Sequence, residues 1–140
     1  MPTKRRLNIK VEIFNYLIMT QEDKELLLDD LCARLPYGVM LSITHNKYTD
    51  ETFNARISTI DYCGDIKVRC GFEEYEQVYS LEQIKPYLFP LSSMTEEQFK
   101  EYLTIPSGYP TIDWFNKNHF DYRCFIERGL VIDATGKNIY

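Results

Sequence analysis

At 140 residues the chain is the size of one domain, and a domain of this size buries about two-thirds of the surface its unfolded chain exposes. Hydrophobic residues at 44% and charged residues at 26% exclude global disorder, and no apolar run approaches the ~20 residues of a membrane span. The net charge of -5 is divided between +3 on residues 1–18 and -8 on the rest, so the body has the wrong sign for generic DNA or RNA binding.

In chain order, residues 1–18 form an N-terminal extension. Ile9, Val11 and Ile13 alternate with Lys10 and Glu12, a period suited to an edge strand or to a flexible arm led by Lys4, Arg5 and Arg6. A single α+β domain is expected over 19–140. Thr20 is placed to cap a helix whose stripe is Leu27, Leu28, Leu31 and Leu35, with Asp30 and Arg34 as an i,i+4 pair. Pro36 stops it and Gly38 turns the chain.

Short strands follow at Val39–Ile43, Phe53–Ile60, Ile66–Cys70 and Tyr75–Tyr79, joined by compact turns, the tightest at Asp61–Asp65. One helical turn at Leu81–Ile84 precedes a closing strand at Tyr87–Leu91, placed at an edge because of Pro86 and Pro90. This is the order of a small SH3-like antiparallel β-barrel or meander over about 37–91, preceded by one helix and followed by two or three short ones.

The helical part spans 95–130. Thr95 with Gln98 makes a capping box, and Met94 against Phe99 a hydrophobic staple; this helix ends by Ile105. A second helix starts near Thr111 and carries Ile112, Trp114 and Phe115. A third is capped by Asp121, with Tyr122, Phe125 and Ile126 on one face, Gly129 as its left-handed stop and Leu130 folded back on Phe125. Val131–Ile132 adds a short strand, and Ala134–Tyr140 reads as a loose tail.

Three separated blocks carry a resemblance: Asp30-Leu31-Cys32-Ala33-Arg34-Leu35-Pro36-Tyr37-Gly38, the run Ile84–Glu97 (IKPYLFPLSSMTEE), and the run Asp113–Arg123 (DWFNKNHFDYR). Together they resemble a family of small uncharacterised proteins of gut Bacteroides-type bacteria, their prophages and their phages. The resemblance covers roughly Met19 to Tyr140. It implies a phage or prophage origin and, with it, the host bacterial cytoplasm; it carries no activity and no site residues.

The four cysteines form no C-x-x-C pair and no signal-peptide pattern is visible, which predicts reduced thiols in a cytoplasmic setting. Cys63 and Cys70 with His45 or His119 have spacing unlike a zinc knuckle, and Cys70 and Cys32 lie in apolar patterns, so no metal and no cofactor is expected. The pairs Asp29-Asp30, Glu73-Glu74 and Glu96-Glu97 read as solvated faces or complements to helix dipoles.

His119 beside Asp121 is the nearest approach to a reactive pair and defines one alternative, a small hydrolase; cap logic assigns Asp121 a structural role instead. The leading expectation is a non-enzymatic protein that contacts another protein through an aromatic, acidic rim of Tyr62, Phe72, Glu73, Glu74 and Tyr75. The other alternative is a nucleic-acid-associated accessory protein using the barrel face and the Lys4–Arg6 arm. An exposed strand such as Tyr87–Leu91 leaves a homodimer open.

Overall fold

The computed structural model describes residues 19–44, 51–69 and 76–140. The expected edge strand at residues 1–18, the Lys4–Arg6 arm and His45 lie outside these segments.

Helix α1 (Gln21–Arg34) starts where Thr20 supplies its cap, the hydroxyl oxygen accepting from Asp23 N at 3.1 Å. Leu27 and Leu31 are fully buried in the core, with Leu28 and Leu35 partly buried beside them. A 3-10 turn at Leu35–Tyr37 follows, and Gly38 leaves it with φ 64. Glycine suits that position best. A Cβ would need a left-handed backbone and would sit 2.5 Å from Arg56 Nη1.

Six strands follow: β1 (Met40–Thr44), β2 (Thr52–Ile60), β3 (Ile66–Arg69), β4 (Glu76–Tyr79), β5 (Ile84–Leu88) and β6 (Ile132–Asp133). They form one sheet in the order β4-β3-β2-β1-β5-β6. The first four are the expected antiparallel meander. After the helical turn at Leu81–Gln83, β5 returns antiparallel to the far side of β1, and β6 adds parallel to β5. That turn is fastened by Gln83, whose amide nitrogen donates to Thr44 O at 3.2 Å while Ser80 N donates to its Oε1 at 3.1 Å.

Alternation along the strands puts Leu41, Ile43, Ala55, Ile57, Ile66, Val68, Ile84 and Leu88 in a single core with Leu27 and Leu31. Phe125, Leu130 and Val131 complete it from the other end of the chain.

The fold is α+β as expected, with three corrections in detail. The sheet is open: its ends, β4 and β6, are not paired with each other, so the meander does not close into a barrel. The fifth strand runs over Ile84–Leu88, not Tyr87–Leu91, and lies inside the sheet. Pro86 is tolerated because it is paired on one side only, opposite Leu41; pairing with β6 begins one residue later, at Tyr87 with Ile132.

Third, of the expected two or three helices two form, α2 (Glu96–Thr104) and α3 (Tyr109–Lys117), both between β5 and β6, and the one expected from Asp121 does not. Residues 121–130 make turns instead of a helix, because His119 and Cys124 take left-handed φ values of 61 and 60 that an α-helix cannot contain. The expected cap residues still act. Both Asp121 carboxylate oxygens accept backbone N–H groups, from Phe125 and Ile126, at 2.9 Å each. Gly129 is left-handed at φ 73, and Leu130 N returns to Phe125 O at 3.1 Å.

The tail is not loose. Tyr140 reaches back so that its hydroxyl accepts from Met40 N at 3.0 Å and donates to Tyr87 O at 2.6 Å. Among the described residues no helix is long and apolar enough to cross a membrane.

Candidate functional site

Among the described residues, most of the exposed large apolar side chains lie on or just before the α2–α3 hairpin: Leu91, Phe99, Leu103, Tyr109 and Ile112. Its start is written in the sequence: Gln98 N donates to Thr95 Oγ1 at 3.1 Å, and Thr95 N donates to Gln98 Oε1 at 2.9 Å. Helix α2 ends at Ile105 before Pro106, and α3 opens with Pro110 in its first turn after Gly108.

The two helices are held together by the Tyr102 ring and by one side-chain hydrogen bond. Tyr102 stacks on Phe115 at 5.6 Å and meets Trp114 at 5.9 Å, while Trp114 Nε1 donates to Glu101 Oε1 at 3.0 Å. Helix α3 is anchored by buried Trp114 and Asn116, whereas α2 contributes no buried residue at all.

Phe99 and Leu103 lie on the same stripe of α2 as Tyr102 yet are 52% and 65% exposed. Leu91, Tyr109 and Ile112 add further exposed apolar side chains. Between the helices and the preceding turn lies a groove of about 460 Å³, lined by Leu91, Met94, Phe99, Tyr102 and Phe115 together with Thr95 and Glu96. Met94 and Phe99, the staple pair, thus face a common space that nothing in the chain's described residues fills.

Stacked rings lead from this groove into the interior. Phe99 lies on Tyr102 at 6.3 Å, Tyr102 on Phe115 at 5.6 Å and Phe115 on Tyr122 at 5.6 Å, and the Arg34 guanidinium lies 5.3 Å from the Tyr122 ring centre. Arg34 is completely buried. Its Nε donates to Asp30 Oδ2 at 2.8 Å and its Nη2 to Phe120 O at 2.6 Å. Arg123 approaches the other Asp30 oxygen at 3.5 Å. Asp30, expected on a solvated face, is therefore buried; burial raises its pKa and the Arg34 charge opposes that rise.

Of the expected rim, Tyr62 stands fully exposed in the β2–β3 turn, where Asp61 Oδ1 accepts from Cys63 N at 2.9 Å and Asp65 N at 3.0 Å. Phe72, Glu73, Glu74 and Tyr75 lie outside the described residues, as does Cys70. His119 and Asp121 are neighbours in sequence with separate partners. The imidazole stacks on Tyr140 at 3.8 Å, and desolvation, with Arg34 and Arg56 nearby, pulls its pKa down to about 4. The Asp121 carboxylate is committed to backbone N–H groups.

Cys32 is exposed, against its apolar sequence pattern, as are Cys63 and Cys124. Among the described residues no group of three or more His, Cys, Asp or Glu side chains is placed to hold a metal ion.

Sequence reasoning assigned Phe99 to a local staple and did not single out Leu103. The signal was present in part: Phe99, Tyr102 and Leu103 fall at i, i+3 and i+4 on one face of α2. No family model, no curated protein and no solved structure matches the chain.

Proposed function

We propose that this protein works by contact with another protein and that the α2–α3 hairpin is its contact surface. The observation that supports this reading is the exposed stripe of Phe99 and Leu103 beside a groove walled by apolar and aromatic side chains. A domain that can bury such side chains and instead presents several together gains from covering them with a partner. Tyr62 stands exposed in a separate turn, between β2 and β3. A phage or prophage origin rests on the resemblance of the three sequence blocks.

The test is affinity capture from bacterial lysate with four proteins in parallel: wild type, Phe99→Glu, Leu103→Glu and Tyr62→Ala. All three substituted positions are exposed, so each variant should melt close to wild type. Partners held by wild type and by Tyr62→Ala, but missing from both α2 variants, are the expected result. An identical set of captured proteins from all four would refute the reading.

A further inference from the structure

We infer that the occupant of the α2–α3 groove is an amphipathic helix with an apolar stripe flanked by lysine and arginine, an inference that rests on the contact surface proposed above. The first argument concerns backbone hydrogen bonds. The groove is lined mainly by apolar and aromatic residues, Leu91, Met94, Phe99, Tyr102 and Phe115, with Thr95 and Glu96 completing it.

An extended segment lying there would bury N–H and C=O groups against walls that cannot pair with them, and each such group costs about 1–3 kcal/mol. Strand addition needs a free sheet edge, and the groove is built from two helices and a 3-10 turn instead. A helix pairs its own backbone and brings only side chains to the wall. Met94 in the groove's lining suits a helix face of irregular shape, because its thioether side chain adapts to what it meets.

The second argument is charge. The hairpin carries Glu96, Glu97, Glu101 and Asp113 against Lys100 and Lys117, and the chain as a whole is acidic at -5. Glu96, Glu97 and Glu101 are all exposed. Glu96 is the one charged residue in the groove's lining, so a second copy of this chain would bring the same carboxylate and the same net negative hairpin against itself, whereas a basic flank meets them with opposite charge. Charges of this kind choose the partner and speed its arrival more than they add affinity.

The experiment uses the full chain and three pooled display libraries of peptides about 14 residues long, close to four helical turns. One pool has Leu, Ile, Phe or Met at i, i+3, i+4 and i+7 with Lys, Arg and Gln elsewhere. The second replaces Lys and Arg with Glu, and the third is the basic pool with a central proline.

Binding of enriched peptides is read from the fluorescence of Trp114, the single tryptophan, which touches the groove residue Tyr102. The expected result is enrichment from the basic pool alone, with binding weakened about tenfold or more by Phe99→Glu and weakened further as salt is raised.

Equal enrichment from the proline pool would overturn the helical occupant, and equal enrichment from the acidic pool would overturn the charge rule. Self-association of the wild type in light scattering, abolished by Phe99→Glu, would assign the groove to a second copy and overturn the inference. If no pool binds while Phe99→Glu still abolishes capture from lysate, the helix falls and the contact surface stands. If Phe99→Glu leaves that capture intact, the surface falls as well.

Discussion

Arg34 and Asp30 sit one helical turn apart on α1, and neither side chain reaches solvent. Two ions taken out of water lose several kcal/mol of hydration each, which the pair recovers only through close contact and further hydrogen bonds. Arg34 has both, through Asp30 and the Phe120 carbonyl, and in this way ties the end of α1 to the chain leaving α3. Arg34→Met strands a buried carboxylate and should cost about 3–5 kcal/mol in urea unfolding. Arg34→Met with Asp30→Leu should recover most of that loss, since Arg123, its side chain partly exposed, can turn to water. A double variant as unstable as the single would show that the pair matters through its geometry alone.

His119 makes the opposite bargain and stays neutral. Its Nδ1 is buried with no hydrogen-bond partner among the described residues, so nothing receives the proton that an imidazolium would carry there. Its folded pKa is about 4 against an ordinary 6.5, so between those values the unfolded chain holds a proton that the folded chain refuses. Stability should therefore fall as pH is lowered through that window. The raised pKa of Asp30 acts in the opposite sense at its acid end, so the readout is the difference between wild type and His119→Gln, which should be flatter from pH 6.5 to 4. Parallel profiles would reject the assignment.

At the scale of elements, α2 depends on its cap more than its neighbours do, because no residue of it is buried. Thr95→Ala removes the bond to Gln98 N and should cost about 1 kcal/mol. The loss should appear locally, as faster amide exchange over residues 96–104 with little change in the sheet. Equal acceleration in β1 and β5 would show that α2 unfolds only with the whole domain.

This helix was legible from Thr95 and Gln98, since a capping box acts within four residues and needs no tertiary context. The stretch from Asp121 to Leu130 was legible only in its ends. Asp121, Gly129 and the return of Leu130 to Phe125 all behave as a cap and a stop. What lies between is decided by the left-handed Cys124, which its residue type does not announce. The exposure of Phe99 was hidden for a related reason. A pattern shows which side of a helix is apolar, while the partner that fails to cover it is a property of the assembled chain.

At the scale of the molecule, the strand sequence and its helical turn were readable because alternation and turn residues are local signals. Closure into a barrel was not, since it depends on whether distant edges meet; β6, near the other end of the chain, adds beside β5 and leaves both outer strands unpaired with each other. The seam between β1 and β5 shows how far that long-range assembly goes. Its register pairs Ile43 with Ile84, Ser42 with Lys85 and Leu41 with Pro86, so Met40 and Tyr87 come next. There the Tyr140 hydroxyl enters between the strands, accepting from Met40 N and donating to Tyr87 O, while its ring rests on His119. One side chain thus joins β1 and β5 to the chain that follows β6.

Tyr140→Phe keeps the ring and leaves that N–H and carbonyl without their bridge, a loss of about 1–3 kcal/mol. Burial pushes the Tyr140 pKa up to about 12 from 10, so above pH 10 the unfolded chain gives up a proton that the folded chain retains. Wild-type stability should then fall between pH 10 and 12 more steeply than that of Tyr140→Phe, measured by urea unfolding across that range. If the two proteins are equally stable at neutral pH and decline together in alkali, the hydroxyl does not bridge the strands, and the seam is held by packing of the rings alone.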